Sequence, residues 1–252
     1  MLHKANLVIT AAGHGARLGE GPKALAMLDG KCFIDHVLEA FNPGVFSTLI
    51  IVRPEHISAF EAWRDKLGPA RHITFFSLAS ESSAESALFG LGRSVETGTP
   101  GAPHILAWTD QVGLTTETVD RTLKVLYNAD FVVPLVQTKS PYTHFSVTQT
   151  PTKVTFNEVL RRRRGDLLPD MGSSDVGLFG LSDRAVESFF DARPETRPQS
   201  ELDFLDLIPD ASVGLVNQVL AASHRDLLAI NTPSELSNAE ATFSAEAQRE
   251  YP

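Results

Sequence analysis

The sequence predicts an α/β fold of three layers, in which a mixed, mainly parallel sheet lies between two layers of helices. Short apolar runs of strand length alternate with segments whose apolar residues recur at helical spacing. The first of these runs also leads directly into a glycine-bearing loop. Strands that alternate with helices of this length form mostly parallel sheets covered on both faces.

The predicted elements fill the first half of the chain regularly and the second half less regularly. The predicted strands there cover 7–12, 48–52, 73–76, 104–109 and 131–136, and the helices 31–41, 54–67, 87–91 and 115–127. Beyond residue 136 we expect paired strands at 142–147 and 153–157, strands at 176–181, 213–219 and 227–230, and helices at 183–191, from 201 and over 239–252. We expect one domain over 1–252, with an insertion at 137–200 on the side of a second substrate and a polar C-terminal tail at 239–252.

Composition narrows the class of protein. The chain has 252 residues, a formal net charge of −9 and a pI near 5.3. This charge argues against nucleic-acid binding, which needs an excess of Lys and Arg. Cys32 is the only cysteine, which excludes intramolecular disulfides and Cys-rich zinc sites. No apolar run approaches the ~20 residues that span a bilayer, so we expect a cytoplasmic protein without a membrane partner. Whether the protein forms a homo-oligomer is left open by the sequence.

An N-terminal loop carries the predicted site. The apolar run 7–12 enters a loop with Gly13 and Gly15, and cations follow at Arg17 and Lys23. Small residues let backbone N–H groups approach a polyphosphate closely, because a side chain there would hold the oxygens away. Cations in the same loop can neutralise the charge on a transferring phosphoryl group. The loop therefore predicts a binding site for a nucleoside triphosphate.

Two other phosphate-binding patterns fit this loop less well. A dinucleotide fingerprint needs a third glycine for close helix–strand packing, and Leu18 stands in its place. A Walker sequence is excluded because no Gly-Lys-Ser/Thr occurs here. Two glycines alone would equally fit a structural turn between a strand and a helix, but Arg17, Pro22 and Lys23 favour phosphate binding.

The same stretch resembles the signature of the nucleotidyltransferases, which join a nucleoside triphosphate to a phosphorylated acceptor. The resemblance rests on Ala11-Ala12-Gly13-x-Gly15-x-Arg17-Leu18 followed by Pro22-Lys23-Ala24-Leu25. The family includes sugar-1-phosphate uridylyl- and thymidylyltransferases, methylerythritol-phosphate cytidylyltransferase and the molybdenum-cofactor nucleotidyltransferases. The short interval before Pro22 is most similar to that of the last two groups, and the similarity extends more weakly over 5–238.

The resemblance implies a Rossmann-like nucleotidyltransferase fold and a set of roles for the loop. Arg17 and Lys23 would be catalytic: Arg17 draws charge toward the leaving pyrophosphate, and Lys23 bridges the α-phosphate and the acceptor phosphate. The triphosphate would lie against the backbone of Ala11, Ala12, Gly13, Gly15 and Ala16.

Two later residues are candidate ligands of Mg²⁺. Asp110 follows a predicted strand, at the edge where ligands of open α/β sheets gather, and Mg²⁺ favours oxygen ligands. It occupies the place of the family's Gly-Asp-x-Pro motif, although Thr109 replaces the glycine and Val112 the proline. Asn231-Thr-Pro resembles the family's Asn/Asp-Thr-Pro-x-x-Leu, whose leading residue is the second metal ligand. Without the resemblance, Asp110 would fit a surface helix cap, and Asn231-Thr-Pro a turn before a helix.

The base and the acceptor are less well specified. The loop 80–86 resembles the base-contacting stretch of the cytidylyltransferases, which implies Ser83 and Ser86 as nucleotide contacts, but Ala84 and Glu85 fill the region of the family's arginine. By similarity to the sugar-type enzymes, the acceptor would be bound by Glu158, Asp175 and Asp206; each also fits a solvated acid. The run 161–164 of four arginines fits either a solvated face or an anion-binding surface.

These features together predict an enzyme that transfers a nucleotidyl group from a nucleoside triphosphate, CTP or UTP favoured, and releases pyrophosphate with Mg²⁺ as cofactor. The acceptor would be a phosphorylated or phosphonylated small molecule such as a sugar or polyol phosphate. Two other functions stay open. A nicotinamide-dependent oxidoreductase would explain the glycine loop but not Lys23 or Asn231, and a catalytically silent nucleotide-binding relative would keep the fold alone.

Overall fold

The computed structural model describes residues 4–13, 18, 21–42, 45–67, 72–193 and 202–250, without the side chains of 242 and 244–250. Among these residues, no helix has the length and apolarity needed to cross a membrane.

A mixed sheet forms the middle layer. Its eight strands are β1 (Ala5–Thr10), β4 (Phe46–Val52), β5 (Ile73–Ser77), β6 (His104–Trp108), β7 (Phe131–Lys139), β10 (Met171–Asp175), β11 (Leu178–Leu181) and β12 (Asn217–Ala221). The neighbours β5, β4, β1 and β6 are parallel, β11 lies antiparallel between β6 and β7, and β12 pairs in parallel with the far edge of β7. The expected mixed, mainly parallel sheet is confirmed.

Helices cover both faces because the strands carry apolar side chains on both sides. In β1, Leu7 and Ile9 point into one core and Val8 into the other, and all three are fully buried. Residues of α1 (Phe33–Glu39), α2 (Ile57–Arg64) and α4 (Thr116–Leu126) pack in the first core, and those of α3 (Ser83–Thr97), α5 (Asp183–Asp191) and α6 (Phe204–Ala211) in the second. The expected three layers are confirmed.

Small elements complete the architecture. Two short antiparallel pairs lie outside the main sheet: β2 (Met27–Leu28) with β3 (Lys31–Cys32), and β8 (Thr143–Gln149) with β9 (Val154–Arg161). Short 3₁₀ helices cover Lys23–Leu25, Pro54–His56, Arg162–Arg164 and His224–Leu227, and α7 covers Pro233–Glu250. Within the described part of the predicted insertion 137–200, β8 and β9 form a separate sheet, whereas β10 and β11 belong to the main one.

The structure corrects one predicted strand and one predicted loop. Residues 227–230 form no strand, because a 3₁₀ helix ends at Leu227 and the following residues bond to a turn. The stretch 171–175, expected as loop, forms β10 instead, held in register against residues 135–139 of β7. The turn after β10 needs Gly177, which has φ +64° and no room for a Cβ, since that atom would lie 2.4 Å from Gln111 Cγ.

Candidate active site

Three of the predicted site residues meet at the carboxyl edge of the sheet. The Lys23 ammonium donates one hydrogen bond of 2.8 Å to Asp110 Oδ2 and another of 2.8 Å to Asn231 Oδ1. Lys23 and Asp110 form an ion pair that is mostly shielded, with side chains 18% and 21% exposed. Parallel strands β1 and β6 are neighbours, so the loops that follow them emerge side by side.

Local structure fixes the position of Lys23. Pro22 precedes a single 3₁₀ turn, in which Leu25 N–H donates to the Pro22 carbonyl and Ala26 N–H to the Lys23 carbonyl. Ala24 is buried at the centre of this turn. The lysine backbone is therefore anchored by packing, and only its side chain extends toward Asp110.

Asn231 is held at the start of α7. The Thr232 hydroxyl accepts from Glu235 N–H, and the Glu235 carboxylate accepts from the backbone N–H groups of Asn231 and Thr232. This reciprocal arrangement is a capping box with Thr232 as N-cap, and Pro233 is the first residue of the helix, as expected for a turn before a helix. On the other side, Ile230 N–H donates to the Asp110 carbonyl, so the two candidate metal ligands are tied through the backbone.

The glycine loop is described only in part. Ala11 N–H donates to the Ile51 carbonyl, so this amide is already used within the structure. Among the described residues, the N–H groups of Ala12 and Gly13 have no acceptor, and a Cβ on Gly13 would meet nothing within 4 Å. The predicted contacts at Gly15, Ala16 and Arg17 lie outside the described residues.

The predicted base loop is held together by its own serines. Ser86 is buried, and its hydroxyl donates to the Ser80 hydroxyl, while the Ser83 hydroxyl accepts from Phe204 N–H. Arg53, at the end of β4, donates to the Ser80 carbonyl over 2.9 Å. The sequence analysis missed Arg53, since a contact between residues 27 positions apart leaves no local signal. A guanidinium therefore reaches this loop, although the loop itself contains no arginine.

On the acceptor side, the predicted residue Asp206 is paired with arginines of the run 161–164. Arg161 pairs with Asp206 over 2.7 Å and also with Asp203, and Arg164 pairs with Asp206 over 2.9 Å. The Asp206 side chain is 8% exposed. Two of the four arginines thus join β9 and the turn after it to α6.

Asp175 and Glu158 lie in contrasting surroundings. Asp175 is buried at the end of β10, where it accepts from the Thr143 hydroxyl at 2.7 Å and from Gly177 N–H at 3.0 Å. Burial raises the pKa of the Asp175 carboxyl, and the charge of Asp203 adds to this, against the two hydrogen bonds. Glu158 is exposed on β9. Among the described residues, no hydrogen bond joins either acid to Asp110.

The donor set at the carboxyl edge fits Mg²⁺. Asp110 Oδ2 and Asn231 Oδ1 are both 2.8 Å from one nitrogen, so the two oxygens are separated by no more than the sum of those distances. Mg²⁺ commonly takes one or two protein oxygens together with water and substrate phosphates. No group of three or more His, Cys, Asp or Glu side chains that could hold a metal occurs among the described residues. The pair could thus hold Mg²⁺ only together with oxygens from substrate or water.

The fold and the site define a class: a three-layer α/β protein with a charged ligand site beyond the carboxyl ends of its parallel strands. A family model described as the MobA-like NTP transferase domain matches residues 7–171, which is more than half of the chain. The chain belongs to this family of nucleotide-transferring enzymes. The resemblance seen in the sequence is confirmed, and the matched range contains Lys23 and Asp110 but not Asn231.

One relative is named as an oxidoreductase and not as a transferase. Nicotine blue oxidoreductase from Paenarthrobacter nicotinovorans is 35% identical over 120 residues, which are 46% of this chain and 54% of that protein. The match thus spans about half of the relative's length.

Solved structures share the fold at low sequence identity. The nucleoside-diphosphate-sugar pyrophosphorylase from Vibrio cholerae RC9 has a TM-score of 0.71 at 17% identity, covering 93% of this chain and 99% of that one. The 4-diphosphocytidyl-2C-methyl-D-erythritol synthase from Anaerococcus prevotii has a TM-score of 0.63 at 12% identity, covering 96% of both chains. At these identities the likeness shows the fold, which is the expected nucleotidyltransferase fold.

Proposed function

We propose that the protein transfers a nucleotidyl group from CTP or UTP to a phosphorylated or phosphonylated small molecule and releases pyrophosphate. The observation that carries this proposal is the contact of Lys23 with both Asp110 and Asn231. These side chains come from segments 87 and 208 residues away from Lys23. A cation and two oxygen ligands brought together at the ligand-binding edge of the sheet suit the charge of a triphosphate.

The proposed reaction needs alignment more than an enzyme nucleophile. An oxygen of the acceptor phosphate, already ionised at neutral pH, attacks the α-phosphorus and forms the new P–O bond. The bond from the α-phosphorus to the bridging oxygen breaks, and its electron pair leaves with pyrophosphate. No protein side chain has to be deprotonated, so positioning and charge neutralisation supply the rate enhancement.

The described residues suit these two tasks. An ammonium group has three N–H donors, and Lys23 uses two of them on Asp110 and Asn231. The third is available to an oxygen of the α-phosphate or of the acceptor. The N–H groups of Ala12 and Gly13 would begin the phosphate cradle, with Gly15, Ala16 and Arg17 continuing it. Ala11 contributes its backbone position but no amide, because Ile51 already accepts from it.

Mg²⁺ fits the same place as cofactor. Asp110 and Asn231 would hold it, and its charge would screen that of the triphosphate. The loop with Ser83 and Ser86 would lie against the base, and Glu158, Asp175 and Asp206 would line the acceptor side. We further propose that 1–252 act as one domain in the cytoplasm, without nucleic-acid partners, with a homo-oligomer left open.

A substrate matrix tests the proposal. Purified protein is incubated with each of ATP, GTP, CTP, UTP and dTTP against sugar phosphates, polyol phosphates and phosphonates, and pyrophosphate release is measured with and without Mg²⁺. We expect release only in wells that contain CTP or UTP, an acceptor and Mg²⁺. Release that proceeds without an acceptor would instead indicate hydrolysis, and release in no well would contradict the proposal.

A nicotinamide-dependent oxidoreductase is the second candidate. The observation that favours it is the name of the relative that is 35% identical over 120 residues. Binding of NADH or NADPH and of each triphosphate, measured by calorimetry, separates the candidates. Tight dinucleotide binding without triphosphate binding would favour the oxidoreductase, and triphosphate binding without pyrophosphate release in any well would favour a silent nucleotide-binding relative.

A further inference from the structure

Asp226 is a buried acid outside the site described so far. It has no exposed surface, and within the described part of the chain it forms no ion pair. Its carboxylate instead accepts five hydrogen bonds from three residues of two segments. Oδ1 accepts from Thr115 N–H at 2.8 Å and from the Thr115 hydroxyl at 2.9 Å. Oδ2 accepts from the Thr118 hydroxyl at 2.8 Å, from Ser223 N–H at 2.9 Å and from the Ser223 hydroxyl at 2.8 Å.

The three bonds from Thr115 and Thr118 join the two segments that carry the candidate metal ligands. We call residues 110–115 and 223–231 together the ligand clamp. Its segments run in opposite directions: Asp226 contacts Thr115 at one end, Gly113 N–H donates to the Leu228 carbonyl in the middle, and Ile230 N–H donates to the Asp110 carbonyl at the other end. Asn231 follows immediately. The spacing between Asp110 and Asn231 is therefore set at the end of a clamp that Asp226 closes.

The clamp is packed too tightly to adjust by other contacts. A Cβ on Gly113 would lie 2.1 Å from the Arg225 carbonyl oxygen, so the two backbones touch directly. A buried carboxylate without a cationic partner is costly unless hydrogen bonds satisfy it, and here each oxygen has at least two donors. We infer that Asp226 is a positioning residue for the metal ligands, which sets the distance between Asp110 and Asn231. This inference rests on the proposed function, in which those two residues hold Mg²⁺.

An amide cannot replace the carboxylate here. Each oxygen of Asp226 accepts from one backbone N–H, of Thr115 or of Ser223, and these donors cannot turn away. An asparagine side chain has nearly the same size as that of aspartate. Whichever way its amide is turned, however, the NH₂ group would face a backbone N–H and could not accept from it. Asp226→Asn should loosen the clamp without leaving a cavity.

The test compares Asp226→Asn with a matched control, Asn6→Asp. Asn6 is also buried; its Oδ1 accepts from Thr99 N–H and its Nδ2 donates to the carbonyls of Thr99 and Ala102. It lies on β1 beside His104 at the start of β6, at the opposite edge of the sheet from Asp110. Both substitutions exchange a carboxylate and an amide at a buried side chain that hydrogen-bonds to a loop, so both should lower stability. Only Asp226→Asn changes a residue of the ligand clamp.

Mn²⁺ binding in the presence of CTP or UTP is measured by electron paramagnetic resonance. Loss of a residue that orients metal ligands typically weakens metal binding about 10–100-fold. We expect the Kd for Mn²⁺ to rise by a factor in this range in Asp226→Asn and to stay unchanged in Asn6→Asp. Hydrogen exchange supplies a second readout: the amides of Gly113 and Ile230 should exchange faster in Asp226→Asn only. Should Asp226→Asn fail to fold, Thr118→Val, which removes one hydroxyl donor, should give a smaller shift in the same direction.

The outcomes separate the two proposals. Equal Mn²⁺ affinity in wild type and a folded clamp variant would overturn the positioning role while leaving the proposed function intact. Equal weakening in Asp226→Asn and Asn6→Asp would also overturn it, because the effect would then reflect stability alone. A wild-type protein that binds no Mn²⁺ with any triphosphate would overturn both proposals.

Discussion

The two sides of the candidate site differ in how their charges are used. On the phosphate side, Lys23 keeps one N–H donor, and Ala12 and Gly13 keep theirs within the described structure. On the proposed acceptor side, Arg161 and Asp206 are already paired with each other, although Arg161 Nε is buried without a hydrogen-bond partner among the described residues. The phosphate side therefore resembles a preformed anion site, whereas an acceptor bound at Asp206, as proposed, would have to exchange or extend existing ion pairs. The available donors of the phosphate side support a proposal for the reaction, whereas the paired charges of the other side do not identify a particular acceptor.

The largest expected effect concerns the phosphate side. Lys23→Ala should lower kcat for pyrophosphate release roughly 10²–10³-fold, the range for losing one preorganised donor to developing charge. The control is Lys31→Ala, since Lys31 pairs with Glu39 at an exposed position. Pyrophosphate release is followed at saturating substrates, and circular dichroism checks that both variants fold. Turnover of Lys23→Ala near the wild-type value would remove the main difference between the two sides.

The next effect concerns the ion pairs of the acceptor side. Arg161→Ala should lower the free energy of unfolding by about 2–4 kcal/mol, because breaking a buried pair leaves a carboxylate partly uncompensated, although Arg164 still contacts Asp206. The neighbouring Arg163→Ala should change it by less than about 0.5 kcal/mol, since Arg163 is exposed.

Urea denaturation measures both variants, and the KM values for acceptor and triphosphate show which side is affected. An acceptor KM that rises while the triphosphate KM stays constant would sharpen the comparison. Equal stability of the two variants would show that these arginines form a solvated face instead.

The smallest effect concerns Asp175. Burial raises the pKa of this carboxyl in the folded state above its ordinary value of 3.8, so the folded protein binds the proton more tightly than the unfolded chain does. Its contribution to stability is therefore greatest below pH 3.8 and is lost as the pH rises through the folded pKa. Asparagine can keep both hydrogen bonds, because the Thr143 hydroxyl can accept and Gly177 N–H can still donate to the amide oxygen.

Asp175→Asn should thus be more stable than wild type at neutral pH, and the difference should shrink toward pH 4. Urea denaturation at pH 4, 6 and 8 measures this trend. Asp166→Asn is a control with the opposite expected pH trend. The hydrogen bond from Arg164 lowers the pKa of Asp166, so the contribution of Asp166 to stability is lost as the pH falls. A wild-type advantage over Asp175→Asn that grows with pH would contradict the assignment of Asp175 as a buried, protonation-prone acid.

Sequence reasoning succeeded where a local rule was sufficient. The predicted helix over 115–127 forms as α4 (Thr116–Leu126), and helix α5 has the predicted bounds 183–191. It failed at β10, whose sequence Met-Gly-Ser-Ser-Asp has little strand propensity and pairs only because β7 extends beside it. It failed again at 227–230, where apolar residues suggested a strand but Leu228 and Ile230 bond to the turn after Asp110.

The sequence by itself determined the fold class and singled out a candidate phosphate-binding loop and the three residues Lys23, Asp110 and Asn231, because strand periodicity and short motifs are local properties of a chain. Only the tertiary structure decided which of these groups touch, that Ala11 has no amide to offer, and that Asp226 closes the clamp behind Asp110 and Asn231. Such contacts join residues that are far apart in the sequence, from 40 positions for Ala11 and Ile51 to 208 for Lys23 and Asn231. They depend on the order and direction of strands in the sheet, which no short segment of the sequence encodes.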